Sequence, residues 1–363
     1  MKSKEKIVIL GAGLIGRLLA VTLSRMGYAL QIYEASDKND PQSAAHIAAA
    51  MLAPLAESAI ADQSIVQMGI HSLKRWQQII PTLEKKVFFQ QAGTLLVWHR
   101  QDANEAIRFK QILANTAAAN QSLTPPVALS ATAIGELEPN LSNRFNSGYH
   151  LPDEGQIDNR QLMAALLHEL ETQQVAIHWN TRVDLNTLHN EEALVIDCRG
   201  LGAKPNWPDI RGVRGEVIRL HAPEVQLKRP VRLIHPKYPI YIAPKENDLY
   251  VIGATEIESE DLSPVSLRSM LELMSAAYTI HSGFAEARIL EMSSNCRPAL
   301  KDNKPAIQIH SEKIIQVNGL YRHGFMIAPA IVDACIALID KQDSTLAEQF
   351  EITLTENNYA YLN

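Results

Sequence analysis

Ile7-Val8-Ile9-Leu10-Gly11-Ala12-Gly13-Leu14-Ile15-Gly16 is the stretch on which the fold turns. An apolar run of strand character passes directly into a G-x-G-x-x-G, after which Leu14, Ile15, Leu18, Leu19 and Leu23 recur at helical spacing. The chain then bends at Gly27 and re-enters strand text at Leu30-Gln31-Ile32-Tyr33, ending on Glu34. Gly11 permits a tight strand-to-helix turn, Gly13 lets backbone approach a pyrophosphate, and Gly16 lets helix and strand pack closely. The helix N-terminus, with the N–H groups of Leu14 and Ile15, offers free donors and a positive dipole end to the phosphates. Glu34, followed by Ala35, stands where a carboxylate holds ribose hydroxyls and repels a 2′-phosphate. Together these predict a dinucleotide-binding β-α-β unit.

At 363 residues, with 46% hydrophobic and 20% charged residues, the chain is long enough for two domains around a large core. A net charge of −6 argues against phosphate-backbone binding as a main task, so no nucleic-acid partner is expected. Cys198, Cys296 and Cys335 lie far apart in apolar contexts without metal-ligand spacing, which fits a reducing cytoplasm and no metal. Nowhere do eighteen apolar residues run together, and the first apolar run is a core strand, so no membrane partner is expected.

Downstream, strands and helices alternate. Helices are expected over 64–83, 102–119 and 266–279, and after a capping-box-like start at Asp158-Asn159-Arg160-Gln161. Leu194-Val195-Ile196-Asp197-Cys198 is a buried strand ending in Arg199-Gly200-Leu201-Gly202, where a second glycine turn suits a second backbone approach to a cofactor. Residues 212–255 are strand-rich, and Ile314-Ile315-Gln316-Val317 leads into a loop over 318–325. Pro329 is placed in the first turn of a last helix with Ile331, Val332, Cys335, Ile336 and Ile339 on its apolar side. Between Ser43 and Ala53 the small residues Ala44, Ala45, Ala48, Ala49 and Ala50 form either a plain helix or a surface that a flat ring approaches closely. The fold expected is α/β, with a discontinuous Rossmann-like domain over 1–85, 150–210 and 291–345. A mixed-sheet α+β domain over 86–149 and 211–290 and a peripheral extension over 346–363 complete it, with ligands between the two domains.

Five motifs occur in order: the amino-terminal G-x-G-x-x-G, Ala50-Met51-Leu52-Ala53-Pro54, Gln91-Ala92-Gly93-Thr94-Leu95, Cys296-Arg297-Pro298 and Tyr321-Arg322-His323-Gly324. With Gly253-Ala254-Thr255 falling between Tyr241 and Arg297, the chain resembles the glycine oxidases of thiamine biosynthesis, within the D-amino-acid oxidase group of flavoenzymes, over about residues 5 to 340. The resemblance implies a D-amino-acid-oxidase-like fold and noncovalently bound FAD. It further implies oxidation of glycine, sarcosine or a small D-amino acid to an imine, with O2 reduced to peroxide. The imine would supply the thiazole of thiamine, with a thiazole synthase downstream, and the protein would be a homo-oligomer. By the same resemblance Arg297 grips the substrate carboxylate, Tyr241 positions it, Arg322 lies beside substrate and flavin, and Met51 lines the flavin's edge. Ala44, Ala45, Ala49, Ala50 and Gly200 belong to the cofactor site. The backbone of Leu320, Tyr321, Arg322, His323, Gly324, Phe325 and Met326 meets the pyrimidine end, and Val183 meets the adenine.

A carboxylate buried beside a flavin calls for a planar, permanently charged, bidentate partner, arginine rather than lysine. Tyr241 alternates with apolar neighbours and is either a core tyrosine or a hydroxyl aimed at substrate. His323 either contributes at the cofactor or is an exposed loop histidine. No carboxylate pair or His/Ser/Cys relay stands out, as expected where the cofactor performs the hard step. Ala50 stands where many relatives have glycine, and Glu256 where some have an apolar methionine. A Glu256 carboxylate facing the pocket would favour a cationic amine and discourage a second carboxylate; otherwise it points to solvent. His46 is one residue out of place for a covalent flavin linkage. Rival readings are a quinone-reducing D-amino-acid or sarcosine dehydrogenase, a flavoprotein acting on a partner protein, and an NAD-dependent dehydrogenase.

Overall fold

The computed structural model describes residues 6–40, 42–188, 193–237, 239–311, 313–341 and 343–356. The opening stretch forms the strand Lys6–Leu10 and the helix Leu14–Arg25, followed by the strand Ala29–Tyr33. Lys6–Leu10 runs parallel to Ala29–Tyr33 on one side and to Leu194–Asp197 on the other. A strand so enclosed needs an apolar run rather than alternation, and Ile7, Ile9 and Leu10 are fully buried.

Seven strands make this sheet, in the order Thr353–Glu356, Ala306–Ser311, Ile314–Asn318, Leu194–Asp197, Lys6–Leu10, Ala29–Tyr33 and Ala176–His178. Its pairings are parallel apart from the hairpin Ala306–Ser311 with Ile314–Asn318. The tail expected to be peripheral thus supplies an edge strand as far as Glu356. Residues 357–363 of that expectation lie outside the described residues.

A second sheet of eight strands runs Arg288–Ala299, Arg211–His221, Leu249–Gly253, Ile240–Pro244, Val231–Ile234, Thr94–Trp98, Ser147–Leu151 and Val127–Ser130. It is mixed, because Val231–Ile234 pairs in parallel with Thr94–Trp98 while its other pairings are antiparallel. The boundaries expected at 149/150 and 290/291 fall inside two of its strands, Ser147–Leu151 and Arg288–Ala299. Only the apolar beginning of Arg288–Ala299 reads as strand, since Ser293, Ser294 and Asn295 follow. Pairing along Arg211–His221 carries those polar residues into the sheet. A small antiparallel sheet joins Met51–Leu52, Gly155–Ile157 and Phe89–Gln90.

The last long helix, Gly324–Lys341, begins earlier than expected, so Pro329 lies inside it rather than in its first turn. Proline there has no N–H to give, and it leaves the carbonyl four residues back, that of Phe325, without its helical donor. Trp76 Nε1 donates to that carbonyl at 2.8 Å, and the N–H of Ala330 donates to Ser72 Oγ at 3.1 Å. Both partners belong to the helix Gln63–Ile79, whose Arg75 also grips Asp333 in a bidentate pair at 2.7 and 3.1 Å. Residues 321–340 are long and apolar enough to cross a membrane, with mean hydropathy 1.6, a property that a search for uninterrupted apolar runs overlooks. Phe325, Met326, Ile327, Ala328, Ala330 and Ile331 are buried within the protein, so this apolarity builds the core.

Candidate active site

A cavity of about 1180 Å³ is lined by residues on or beside both large sheets, Gly13, Glu34 and Val183 among them as well as Tyr241, Arg297 and Arg322. Pockets for one drug-sized ligand span roughly 300–1,000 Å³, so this one has room for a dinucleotide and a small substrate together.

The fingerprint glycines take three different jobs. Gly11 has φ +95°, and a Cβ there would meet the Cys198 carbonyl oxygen at 2.9 Å. A Cβ on Gly16 would overlap the carbonyl oxygen of Gly11; Gly16 lies behind the turn and does not line the cavity. A Cβ on Gly13 would meet nothing nearer than Ser43 at 3.9 Å, so this backbone is open toward the cavity. Gly13 caps the helix with no side-chain hydrogen bond, and the cavity wall there includes Leu14 and Ile15 in the first turn, whose N–H groups have no helical partner.

Glu34 is held at its strand end beside Ala35. Its Oε2 accepts from the Ala12 N–H at 2.6 Å, and its Oε1 from the N–H and hydroxyl of Ser36, both at 2.9 Å. On the adjoining wall Arg199 forks onto the buried Asp197 at 2.8 and 2.7 Å and donates to the Val183 carbonyl at 2.9 Å. That arrangement sets Val183 and Gly200, the latter at φ +56°, against the cavity. A glycine left bare toward open space, an uncapped helix start and a carboxylate at the second strand end are the donor set for a pyrophosphate and a ribose. The residues present therefore fit FAD.

Of the two readings for the small-residue stretch, the helix covers only Ala44–Ile47. Ala44, Ala45, Ala49, Ala50 and Met51 all face the cavity, with Ala50 at φ +52°. Lys245 secures this turn from behind. Its buried Nζ donates to the carbonyls of Ala49 at 2.9 Å and Ile157 at 2.8 Å and to Gln156 Oε1 at 3.1 Å, while burial pushes its amine down to about 7. His46 does not line the cavity.

Two glycines shape the other end. Tyr241, on the strand Ile240–Pro244, faces Gly253 across the ladder, where a Cβ would come within 2.6 Å of its hydroxyl oxygen. Arg297, on Arg288–Ala299, lies over Gly215, where a Cβ would overlap the guanidinium. The N–H groups of Arg297 donate to the carbonyls of Thr255 at 3.1 Å and Arg214 at 3.4 Å, and no carboxylate is within ion-pairing distance among the described residues. Burial lowers its pKa and raises that of the Tyr241 hydroxyl.

Arg322 has carboxylates on two sides: Glu57 Oε2 at 3.1 Å from Nε, and Glu256 Oε2 at 2.7 Å from one terminal nitrogen. Glu57 is shared with Arg232 at 2.5 Å. Burial works to raise the Glu57 carboxyl, but Arg322 and Arg232 outweigh it and hold the group well below the usual carboxylate range. Glu256 therefore lines the cavity, half exposed, rather than pointing away. His323 is buried, its Nδ1 3.5 Å from Glu57, and burial pushes it down to about 4, so it is no exposed loop residue. Leu320, Tyr321, Gly324, Phe325 and Met326 line the same wall, Tyr321 at φ +51°.

Glu57, Arg232, Gly215 and Lys245 escape the sequence reading. Gly215, isolated within Arg211–His221, carried a usable signal, because glycine inside a strand marks a close approach. Glu57 carried none, since nothing near it in sequence foretells burial beside two arginines.

Fold and site together define a dinucleotide-binding α/β protein whose cavity runs on from the cofactor cradle to Tyr241 and Arg297. Residues 6–336 match the family described as FAD dependent oxidoreductase (DAO), and the chain belongs to that family. It is 35% identical to the Rhizobium etli protein named a thiamine biosynthesis oxidoreductase, ThiO, covering 90% of this chain and 94% of that one. It is 24% identical to the bifunctional protein ThiO/ThiG of Trichormus variabilis, covering 95% of this chain but only 54%, about half, of that longer protein. The crystal structure of glycine oxidase from Geobacillus kaustophilus shares the fold, with TM-score 0.80 at 20% identity over 96% of this chain and 99% of that one. Bound here, FAD supplies two-electron redox chemistry, while the protein supplies binding, orientation and charge.

Proposed function

We propose that the chain oxidises glycine, and by extension sarcosine or a small D-amino acid, to the imine, which then serves formation of the thiazole of thiamine. The amine carbon gives up a hydride equivalent and its nitrogen a proton; O2 takes the two electrons and two protons and leaves as H2O2. Arg297 carries this reading, as a guanidinium at the cavity that donates only to carbonyls and so keeps its charge for a carboxylate.

In this reading Tyr241 positions the carboxylate from its strand, Arg322 stands beside substrate and cofactor, and Met51 lines the ring's edge. The backbone from Leu320 to Met326 meets the pyrimidine end. The amine releases its proton to solvent, with no side chain assigned as base. Two domains, one on each large sheet, enclose the ligands. Similarity to ThiO of Rhizobium etli supports the thiamine context. The relative that carries ThiO and ThiG in one chain supports handover to a thiazole synthase. A homo-oligomer completes the proposal, and free Cys198, Cys296 and Cys335 suit a reducing cytoplasm.

Anaerobic glycine should bleach the flavin band of the purified protein, and a colourless protein that ignores FAD would overturn the proposal. Arg297→Ala should weaken glycine binding by roughly 2–5 kcal/mol, whereas unchanged affinity would remove Arg297 from the role. Rapid dye reduction with slow oxygen consumption would replace O2 by another acceptor.

A further inference from the structure

The carboxylates and guanidinium groups around the substrate end of the cavity are not evenly matched. Arg232, Arg297 and Arg322 bring three permanent positive charges, and Glu57 and Glu256 bring two negative ones. Glu57 is divided between Arg232 and Arg322, so it cannot neutralise both. Glu256 completes the balance from the solvent side, its Oε2 accepting from Arg322 at 2.7 Å. Arg297 is left without a carboxylate partner among the described residues, and its donors meet only carbonyl oxygens.

We infer that Glu256 sets the number of carboxylates the site accepts: by occupying the solvent-side nitrogen of Arg322, it limits the substrate to amines bearing a single carboxylate. The inference rests on the proposed amine oxidation for its physiological meaning. Its physical content is a binding preference that holds without turnover. A second carboxylate on the substrate would have to displace Glu256 from Arg322 and then lie beside it, a like-charge contact at short range. A neutral side chain or an N-methyl group meets no such opposition, and the amine's own positive charge is drawn toward Glu256.

The substitution that isolates this effect is Glu256→Gln, which keeps the shape and removes the charge. The residue is 46% exposed, so the fold does not depend on its ionisation. Malonate and acetate serve as unreactive dicarboxylate and monocarboxylate probes of the FAD-loaded protein, their dissociation constants read from perturbation of the flavin absorption band. In the variant, malonate affinity relative to acetate should rise at least tenfold over that of the unaltered protein. A ratio within twofold of the unaltered protein overturns the inference, as does malonate binding by neither protein. In turnover, iminodiacetate should gain on glycine in kcat/KM by a similar factor. Failure of glycine to bleach the flavin would count against the proposed oxidation, and the probe titration would still decide the role of Glu256.

Discussion

The guanidinium of Arg297 lies directly over the Cα of Gly215, in the space a side chain at position 215 would fill. The two residues sit on neighbouring strands, with Val213 and not Gly215 opposite Arg297 in the ladder, so the arginine reaches along the sheet rather than across it. Its charge is set by a glycine that the strand itself does not need.

Gly215→Ala should therefore act on substrate binding. The methyl group pushes the guanidinium off its seat, and the KM for glycine should rise about tenfold, which corresponds to roughly 1.4 kcal/mol. Overpacking should lower stability by about 1–3 kcal/mol. Retained flavin absorbance would show that the cofactor arm is undisturbed, and an unchanged KM would show that Arg297 does not need this seat.

Gly13→Val separates folding from cofactor retention. A Cβ at 13 meets no atom closer than 3.9 Å, so the protein stripped of FAD should still fold, with only a small loss from placing valine at the helix N-cap. The branched side chain occupies the space for the pyrophosphate, and flavin retention should be lost. Full flavin occupancy in this variant would contradict the phosphate cradle.

Ala50→Gly should stabilise the protein. Ala50 has φ +52°, in the left-handed region that costs an ordinary residue about 1–2 kcal/mol. Glycine relieves that cost and adds some freedom to the unfolded chain, for a net gain of about 1 kcal/mol. Denaturant midpoints of the two proteins check it, and a fall in stability would mean that the alanine methyl earns its place by packing.

Glu154 predicts a pH dependence. Burial pushes its carboxyl up to about 7, while the unfolded chain releases the same proton near the ordinary 4.5. Between those values the folded protein holds a proton that the unfolded chain has lost. This contribution to stability is complete below about pH 4.5 and is lost as pH rises to about 7, by at most about 3 kcal/mol. Glu154→Gln keeps an oxygen for the Ala56 N–H, at 2.7 Å in the parent, and should flatten the profile, leaving the variant the more stable protein at pH 8. Urea midpoints at pH 5 and pH 8 provide the comparison; equal slopes for both proteins would exclude Glu154 as the source.

Trp76 and Pro329 should be coupled. Trp76→Phe leaves the Phe325 carbonyl without its donor and should cost about 1–3 kcal/mol. Pro329→Ala restores a helical N–H to that carbonyl, so the cost of Trp76→Phe should shrink in its presence. Additive losses in the double-mutant cycle would mean that the two residues act independently.

The first thirty-four residues were legible because every constraint on them is local: a buried run, a turn that only glycine can make, and a helix whose first donors have no other partner. The Rossmann-like sheet and the mixed second sheet were legible for a similar reason, since hydrophobic period reports which strands are enclosed. Arg288–Ala299 was legible only at its apolar start, because its polar half becomes strand by pairing with Arg211–His221. Pro329 misled in the same way. Proline favours a helix start when its neighbours are unknown, and Trp76 and Ser72, far away in sequence, make its interior position tolerable.

By itself the sequence determined a β-α-β unit with a bare glycine turn and a terminal carboxylate suited to a dinucleotide, and by resemblance it marked Arg297, Tyr241 and Arg322 as residues to watch. The tertiary structure decided what charge each of them presents. Arg232 reaches Glu57 across 175 positions of chain, Arg322 closes on the same carboxylate, and Glu256 comes to Arg322 from a different sheet strand's end. Whether a guanidinium is held by a neighbour or left for a ligand depends on distances of a few ångströms between residues far apart in the chain. Local periodicity carries no record of those distances; only the packed chain does.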